Sequence, residues 1–463
     1  MAQWKTIPIY EKLQKNVGEK SLRGESVASA ENLYTTEEGT LSRFPQLQEY
    51  LDLPVTSDVY LHKCKGDMIA SCGGRTYRVD VVNDSFQDVT GALVNGSGRT
   101  IFSKTEDGLL MAAGGKIIKL AGDTTSILSP DAPETTHVAW LAGLAVALEK
   151  GSNRFNYSGD TISDWPALNV LSAEGNPDNI NSLIVSEFGD ELFVGGEETI
   201  EQFDLQGSGD APLVYRWGLP SGLLAPYTLI SVDNRLWGVN QHKEFQAYSG
   251  GVGQTESDDI QKVLDGIQDW TGAWTSRLKY DGQRFIILQI PKAINEYGSE
   301  GITLLYQYKM KRWYYLYSFD QEPILWKGRS YLEFNGQHYV GGEGKIYKLV
   351  KENGLTQKFL WRSGHLSVSS GNDVQLDRIR FCMKRGQAAL GTVAPILSLR
   401  IRKNGRNWGR KVRISLGITG ERFMNVEFAG LGTAKNFQFE LDMTDGQDLE
   451  LVRASLLINE LGN

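Results

Sequence analysis

Cysteine is scarce in this chain. Its 463 residues hold three, Cys64, Cys72 and Cys382, an odd number without CxxC spacing. That argues against a disulfide framework and against a cysteine-built zinc site. It fits thiols used as small buried apolar residues in a protein that folds in a reducing cytosol. Histidine is as sparse: His62, His137, His242, His338 and His365 stand far apart, and none has a neighbour at metal-ligand spacing, so each reads as structural. No run of 18 apolar residues exists, which excludes a membrane-spanning helix. Met1-Ala-Gln-Trp-Lys5 lacks the apolar core of a signal peptide. GxSxG, HExxH and EF-hand loops are all missing. The sequence thus shows no catalytic motif and no cofactor or metal site. Proline is low at 13 residues, so the chain reads as turn-rich globular sequence and not as a disordered one.

Glycine is abundant, with 51 residues, and much of it is patterned. An apolar strand, a glycine pair and a second apolar strand recur. The phrase reads Ile69-Ala-Ser-Cys-Gly-Gly-Arg-Thr-Tyr-Arg-Val79, then Leu109-Leu-Met-Ala-Ala-Gly-Gly-Lys-Ile-Ile-Lys-Leu120. It returns as Glu191-Leu-Phe-Val-Gly-Gly-Glu-Glu-Thr-Ile-Glu-Gln-Phe203 and as Gln337-His-Tyr-Val-Gly-Gly-Glu-Gly-Lys-Ile-Tyr-Lys-Leu349. Each copy reads as a β-hairpin whose glycines supply the positive φ of a tight turn. Gly73 to Gly114 is 41 residues and Gly114 to Gly195 is 81, close to two such steps. A strand-built period of about 40–50 residues predicts propeller blades. Weaker hairpins fill the gaps near 151, 238 and 282, the last with an Asp-Gly turn. With those near 73, 114, 195 and 341 they give six or seven blades.

The expected architecture is all-β. Residues 1–57 form an N-terminal lead-in, with 18–32 irregular. Residues 58–351 form the propeller-like body. One short helix is inserted near 257–270, with Ser257 as N-cap and Ile260, Val263, Leu264 and Ile267 as its apolar stripe. Residues 352–463 carry longer strands with period-2 alternation, as in Ile396–Arg402, Phe437–Met443 and Leu449–Ile458, which predicts a C-terminal antiparallel β-sandwich.

The net charge of −8 is uneven. Residues 352–463 carry +5 and residues 1–351 carry −13. An acidic body repels nucleic acid unless basic strips override it, so a high-affinity DNA binder is not expected, whereas a wall past which DNA slides is compatible. The densest basic strip is Arg400-Ile-Arg-Lys-Asn-Gly-Arg-Asn-Trp-Gly-Arg-Lys-Val-Arg413, with an Asn-Gly hairpin turn. Its cations, Arg400, Arg402, Lys403, Arg406, Arg410, Lys411 and Arg413, form either a solvated sheet face or a contact with DNA phosphates or an acidic neighbouring subunit. A helix-free strip offers no base-reading geometry, so any DNA contact is nonspecific.

Two other motifs read as structure. Gly341-Gly-Glu-Gly-Lys-Ile lacks GxxxxGK[ST] spacing and the following helix that a phosphate loop needs. Phe155-Asn-Tyr-Ser-Gly-Asp-Thr-Ile-Ser-Asp-Trp165 loosely resembles a sialidase Asp-box, with Ser158, Asp160 and Trp165 in place and the glycine misplaced. Such boxes hold blade turns. A glycosidase also needs two carboxylates at a set separation, which the sequence does not pair.

Taken in order, four segments resemble the packaged-DNA stabilisation family, the tail hub or nozzle proteins of short-tailed bacteriophages. Leu41-Ser-Arg-Phe-Pro45 stands where that family has Leu-Arg-Ser-Phe-Pro. Glu198-Thr-Ile-Glu-Gln-Phe-Asp-Leu-Gln-Gly207 is similar to its Ser-Thr-Ile-Glu-Tyr-Phe-Ser-Leu-Thr-Gly. Ile260-Gln-Lys-Val-Leu264, Leu278-Lys-Tyr-Asp281 and Ile286-Ile-Leu-Gln-Ile-Pro291 match its helix and following strand. Lys403-Asn-Gly-Arg-Asn-Trp-Gly-Arg410 falls at its Thr-Asp-Gly-x-Asn-Tyr-Gly hairpin, but is basic here. The resemblance implies a non-catalytic homo-hexamer in the virion tail, made in the bacterial host cytoplasm. It implies as partners a portal adaptor above, a needle or plug below, and tailspikes or fibres alongside. It implies a channel that retains packaged DNA, touches it nonspecifically and conducts it at ejection, with no membrane anchor. The competing reading is a propeller-type carbohydrate-binding or glycoside-hydrolysing protein, supported by the aromatic content and the Asp-box likeness.

Overall fold

Apolar runs such as Leu109–Ala112 are buried on both faces, as strands sandwiched between sheets must be. Leu109 and Met111 pack toward the preceding sheet while Leu110 and Ala112 pack toward the next. Among the described residues, repeating this arrangement gives a ring of seven four-stranded antiparallel blades. The computed structural model describes residues 3–460 except 8, 10, 11, 17–26, 97, 174, 176, 177, 190, 207–211, 250, 352–356, 368–371, 386–392, 418–421 and 444–448. The innermost strands are Val59–Cys64, Ile101–Lys104, Val138–Leu141, Ile180–Val185, Ile230–Val232, Trp274–Tyr280 and Ser330–Phe334. Seven apolar cores, one per blade interface, hold the ring together, and the last inner strand lies against the first. Of the two blade counts open to the sequence, seven is the one observed. The hairpin near 282 differs from the others: Asp281-Gly282 joins the first and second strands of blade 6, whereas the remaining six lie between second and third strands.

The glycine pairs do a different job from the one their sequence suggests. Only Gly73-Gly74 has positive φ at both positions, 56° and 81°, in a two-residue hairpin turn. Gly195, Gly196 and Gly341 lie inside strands, and a Cβ on Gly341 would come within 2.2 Å of the Val59 carbonyl oxygen. The shared feature is close backbone approach. The linker entering another blade hydrogen-bonds to the pair each time: Val94 N–H to Gly74 O, Gly114 N–H to Thr135 O, Leu223 N–H to Gly196 O and Val59 N–H to Gly342 O, all at 2.8 Å. A side chain there would hold the linker off, so the repeat records blade-to-blade docking.

The ring closes through the lead-in. Gln46–Asp52 pairs antiparallel with Lys345–Val350 and becomes the fourth strand of blade 7. The sandwich sits beside blades 6 and 7. One of its sheets contains Val374–Arg385, Arg422–Ala434 and Glu450–Glu460, joined by Gln3–Ile7, Leu33–Thr35 and Leu41–Arg43. The other runs Val27–Glu31, Phe359–Ser363, Asn436–Met443, Ile396–Lys403, Val412–Ser415, and continues the sheet of blade 6. Two expectations are corrected. Of the segment expected to be irregular, 18–26 lies outside the described residues, but 27–31 is a strand between Arg312–Tyr315 and Phe359–Ser363. The short helix is present, a 3-10 turn Asp258–Ile260 running into the α-helix Gln261–Gly266, and only its expected cap is overturned. Ser257 makes no side-chain cap; its Oγ accepts the Phe245 N–H at 3.0 Å, which ties the turn back to blade 5. Ile260, Leu264 and Ile267 are buried and Val263 partly so, as the stripe requires.

The seam between propeller and sandwich holds a buried acid. Glu31 is 2% exposed and accepts a 2.6 Å hydrogen bond from the Tyr297 hydroxyl. Burial raises its pKa to about 7, only partly opposed by that hydrogen bond. A carboxyl whose pKa rises on folding favours the fold below its unfolded value near 4.5, and loses that contribution as pH climbs through 7. The loss amounts to at most about 3 kcal/mol. Glu31→Gln is therefore expected to raise the urea midpoint at pH 8 while leaving it nearly unchanged at pH 4.5. Parallel midpoints for variant and wild type across that range would contradict this.

Candidate interaction surface

The basic hairpin forms as its turn chemistry dictates. Asn404 and Gly405, at φ 49° and 67°, make a two-residue turn, and the Arg406 N–H reaches the Lys403 carbonyl at 2.9 Å. Asn404 Oδ1 accepts the N–H groups of Lys435 and Asn436 at 2.9 and 3.0 Å, pinning the turn to the next strand connection. Along Ile396–Lys403, Leu397 and Leu399 enter the sandwich core and Arg400 and Arg402 take the opposite face. Val412–Ser415 is the edge strand of its sheet.

Much of this charge is already matched. Glu440 lies opposite both Arg362 and Arg400 in the sheet register and is 1% exposed as a side chain. It accepts Arg400 Nε at 2.5 Å and Arg362 Nη2 at 2.7 Å. Burial pushes its pKa up, but the two guanidiniums outweigh that and hold it below the usual glutamate value. Lys411 reaches Asp442 at 2.7 Å. The Trp408 ring covers the guanidiniums of Arg362, Arg400 and Arg402 at 5.6, 5.0 and 6.0 Å. Arg402 also donates from Nε to the Arg406 carbonyl at 2.5 Å.

The seven cations thus divide. Arg400, Arg402, Lys403 and Lys411 are half-buried, and Arg400 and Lys411 are ion-paired with Glu440 and Asp442, the former shared with Arg362. Arg406, Arg410 and Arg413 are exposed and make no ion pair among the described residues. The sequence reading missed the acidic strip Glu440–Asp442. Its signal was present in the alternation Phe437-Gln-Phe-Glu-Leu-Asp-Met443, which puts Gln438, Glu440 and Asp442 on one face. Which strand that face would meet was not visible.

Other candidates resolve as structure. His137 stacks on Tyr227 at 5.0 Å and His62 on Phe102 at 5.2 Å, and burial lowers their pKa values to about 3 and about 4. His338 bonds the Tyr331 hydroxyl at 2.7 Å. In the Asp-box-like loop, Ser158 Oγ accepts the Ala145 N–H and so holds the loop on blade 3, while Trp165 Nε1 donates to the Ile162 carbonyl within the loop. Cys64 and Cys72 are buried, Cys382 is half-buried, and all three are free. No group of three His, Cys, Asp or Glu able to hold a metal occurs among the described residues. A groove of about 420 Å³ between blades 4 and 5 is walled by Phe193 and Trp217. Its acids are engaged: Gln202 Nε2 donates to Glu191 and Asp204 at 2.9 Å each, and Asp204 pairs with Arg216 at 2.5 Å.

The propeller axis is closed by side chains at the end where the inner strands begin. Arg99, from the lead into blade 2, lies over Tyr60 of blade 1 at 4.8 Å and Trp274 of blade 6 at 4.7 Å. Its Nη2 donates to the Arg329 carbonyl, before blade 7, at 2.7 Å. Arg329 also lies over Trp274, at 5.4 Å, and its Nε bonds Asp58 at 3.1 Å. The His137–Tyr227 stack joins the leads into blades 3 and 5. These contacts cross between non-adjacent blades, so the axis is not an open conduit at that end.

Residues 30–353 match the family model described as bacteriophage P22 Gp10, beta-propeller. No curated protein matches the chain. Among solved structures, a chain in the crystal structure of the mitotic checkpoint complex is similar at 11% identity and a TM-score of 0.38, covering 73% of this chain and 98% of that one. That likeness is too loose to carry a functional argument.

Proposed function

From the premise that the chain belongs to the family of the bacteriophage P22 Gp10 β-propeller, we propose that it is a structural protein of a phage tail that stabilises packaged DNA. In this reading six copies form a hub below the portal adaptor. They prolong its channel, retain the genome and conduct it at ejection, with a needle or plug below and spikes or fibres alongside. The family match over 30–353 is the observation that carries the reading.

Two features support the finer part. With side chains closing the propeller axis, a duplex would have to pass between copies, which a closed ring provides. The exposed tip Arg406, Arg410 and Arg413, beside an unpaired strand edge, offers a basic surface to the acidic body of a neighbouring copy. An acidic lumen wall would keep DNA from sticking in transit.

Electron microscopy of the protein with its adaptor tests the reading: sixfold rings are expected, and monomers at every concentration would overturn it. Replacing Arg406, Arg410 and Arg413 together by Gln is expected to leave the melting temperature within about 1 °C, since exposed unpaired charges contribute little. The same variant is expected to weaken assembly at least tenfold by sedimentation, with a reduced salt dependence. Unchanged assembly would return the tip to a solvated face.

A further inference from the structure

The interface between blades 4 and 5 joins an apolar cluster to a polar one. Phe193 and Tyr248 are buried in its core. Against them opens the groove of about 420 Å³, which Glu191, Gln202, Asp204, Arg216 and Trp217 also line. That volume lies within the range of small-molecule sites, about 300–1,000 Å³. Two features of the groove wall work against stability. The first is a pair of acids: Glu191 lies directly opposite Asp204 in the sheet register. Like charges so placed destabilise a sheet, and such breaches of local rules concentrate at functional sites. Gln202, 6% exposed, fixes the pair by donating from Nε2 to one oxygen of each at 2.9 Å.

The second is a register shift in the outer strand of blade 4, Leu213–Leu219. Tyr215 pairs with Phe203 and Trp217 with Gln202, so Arg216 is the extra residue of a bulge. Simple alternation would send Tyr215 and Trp217 to one face and Arg216 to the other. Instead Tyr215 packs on Phe203, whose ring belongs to the core shared with blade 3. Trp217 reaches Phe193 on the groove side, and Arg216 reaches Asp204 there at 2.5 Å. Bulges re-aim side chains in this way beside binding and active sites. The re-aimed pair sets the chemistry of a ligand. The half-buried Trp217 indole is a flat apolar wall. Asp204 and Arg216 set an acceptor beside a donor, which adjacent hydroxyl groups match because each both gives and takes a hydrogen bond. Two carboxylates turn away an anion, and the guanidinium among them turns away a cation.

We propose that the groove between blades 4 and 5 binds an uncharged saccharide, with one sugar ring against Trp217 and its adjacent hydroxyls bonded to Glu191, Asp204 and Arg216. Both acids are held by Gln202, which orients them as acceptors; the site binds and does not hydrolyse. This does not depend on how copies assemble.

Saturation-transfer NMR on the full chain tests this, with the methyl glycosides of glucose, galactose, mannose and rhamnose as probes. Saturable transfer to the ring protons of at least one of them is expected. Glu191→Gln removes a charged acceptor, so it is expected to weaken that sugar about tenfold. It also removes the opposed like charges, so its melting temperature is expected to stay level or rise. Arg216→Gln is expected to weaken the sugar by a similar factor, and Trp217→Ala to abolish saturation. Should Trp217→Ala fail to fold, Glu191→Gln and Arg216→Gln decide. No saturable binding of any probe, or equal affinity in wild type, Glu191→Gln and Arg216→Gln, overturns the proposal. So does tighter binding of choline or of sialic acid than of every neutral glycoside.

Discussion

Phe44→Ala is expected to destabilise the chain by about 4 kcal/mol and to split its thermal unfolding into two transitions. Phe44 is 1% exposed and comes from the N-terminal lead-in, yet its ring meets three other parts of the molecule edge-on. Tyr34, from the sandwich sheet, is 6.4 Å away; Phe285, of blade 6, is 6.0 Å; Trp326, on the approach to blade 7, is 6.4 Å. Its N–H donates to the Asn32 carbonyl at 2.8 Å, and Asn32 in turn bonds Lys358 O and Tyr317 N–H. Truncating a buried phenylalanine costs about 3–5 kcal/mol through lost transfer energy and the cavity left behind. Here the cavity opens at the joint of two bodies that otherwise share a continuous core. Weakening the joint lowers the penalty for one body melting before the other. Calorimetry checks both parts. A loss under about 1 kcal/mol, or a single transition at lower temperature, would show that the joint is carried elsewhere.

Glu440→Gln is expected to cost about 3 kcal/mol, because it leaves Arg362 and Arg400 facing each other without their shared carboxylate. Partial exposure of both guanidiniums, 14% and 29%, places the value at the lower end for a broken buried pair. The pH dependence carries the sign. Glu440 titrates below its unfolded value, so its contribution is present above about pH 4.5 and fades as pH falls. Glu31 behaves in the opposite way. The two acids therefore predict a wild-type stability profile with opposing slopes, and each Gln variant should flatten one of them. Urea midpoints of the three proteins between pH 3 and pH 8 test this; a Glu440→Gln profile parallel to wild type below pH 5 would remove the ion pair from the account.

What the sequence made legible was whatever is local. The glycine phrases, the Asp-Gly and Asn-Gly turns and the alternation of the last strands all mark structure within about 40 residues of themselves. The reason for the glycine pairs was not legible, because close approach to a linker leaves the same letters as a turn. The lead-in's role in blade 7 was hidden too: Gln46–Asp52 has no periodic signature that points to Lys345–Val350. The axis cluster was hidden for a related reason. Asp58, Arg99, His137, Tyr227, Trp274 and Arg329 come from different segments, each unremarkable alone, and only ring closure gathers them. At the basic hairpin the cations were legible and their counter-charges were not.

The pairing of Gln46–Asp52 with Lys345–Val350 also sets a clock on biosynthesis. About 300 residues must be translated between the two strands. At ribosomal rates of about 5–20 residues per second, the first strand waits on the order of 15–60 s with its ladder edge unpaired. The strand bears Glu49 and Asp52, charges that discourage edge-to-edge pairing with other nascent chains during that wait.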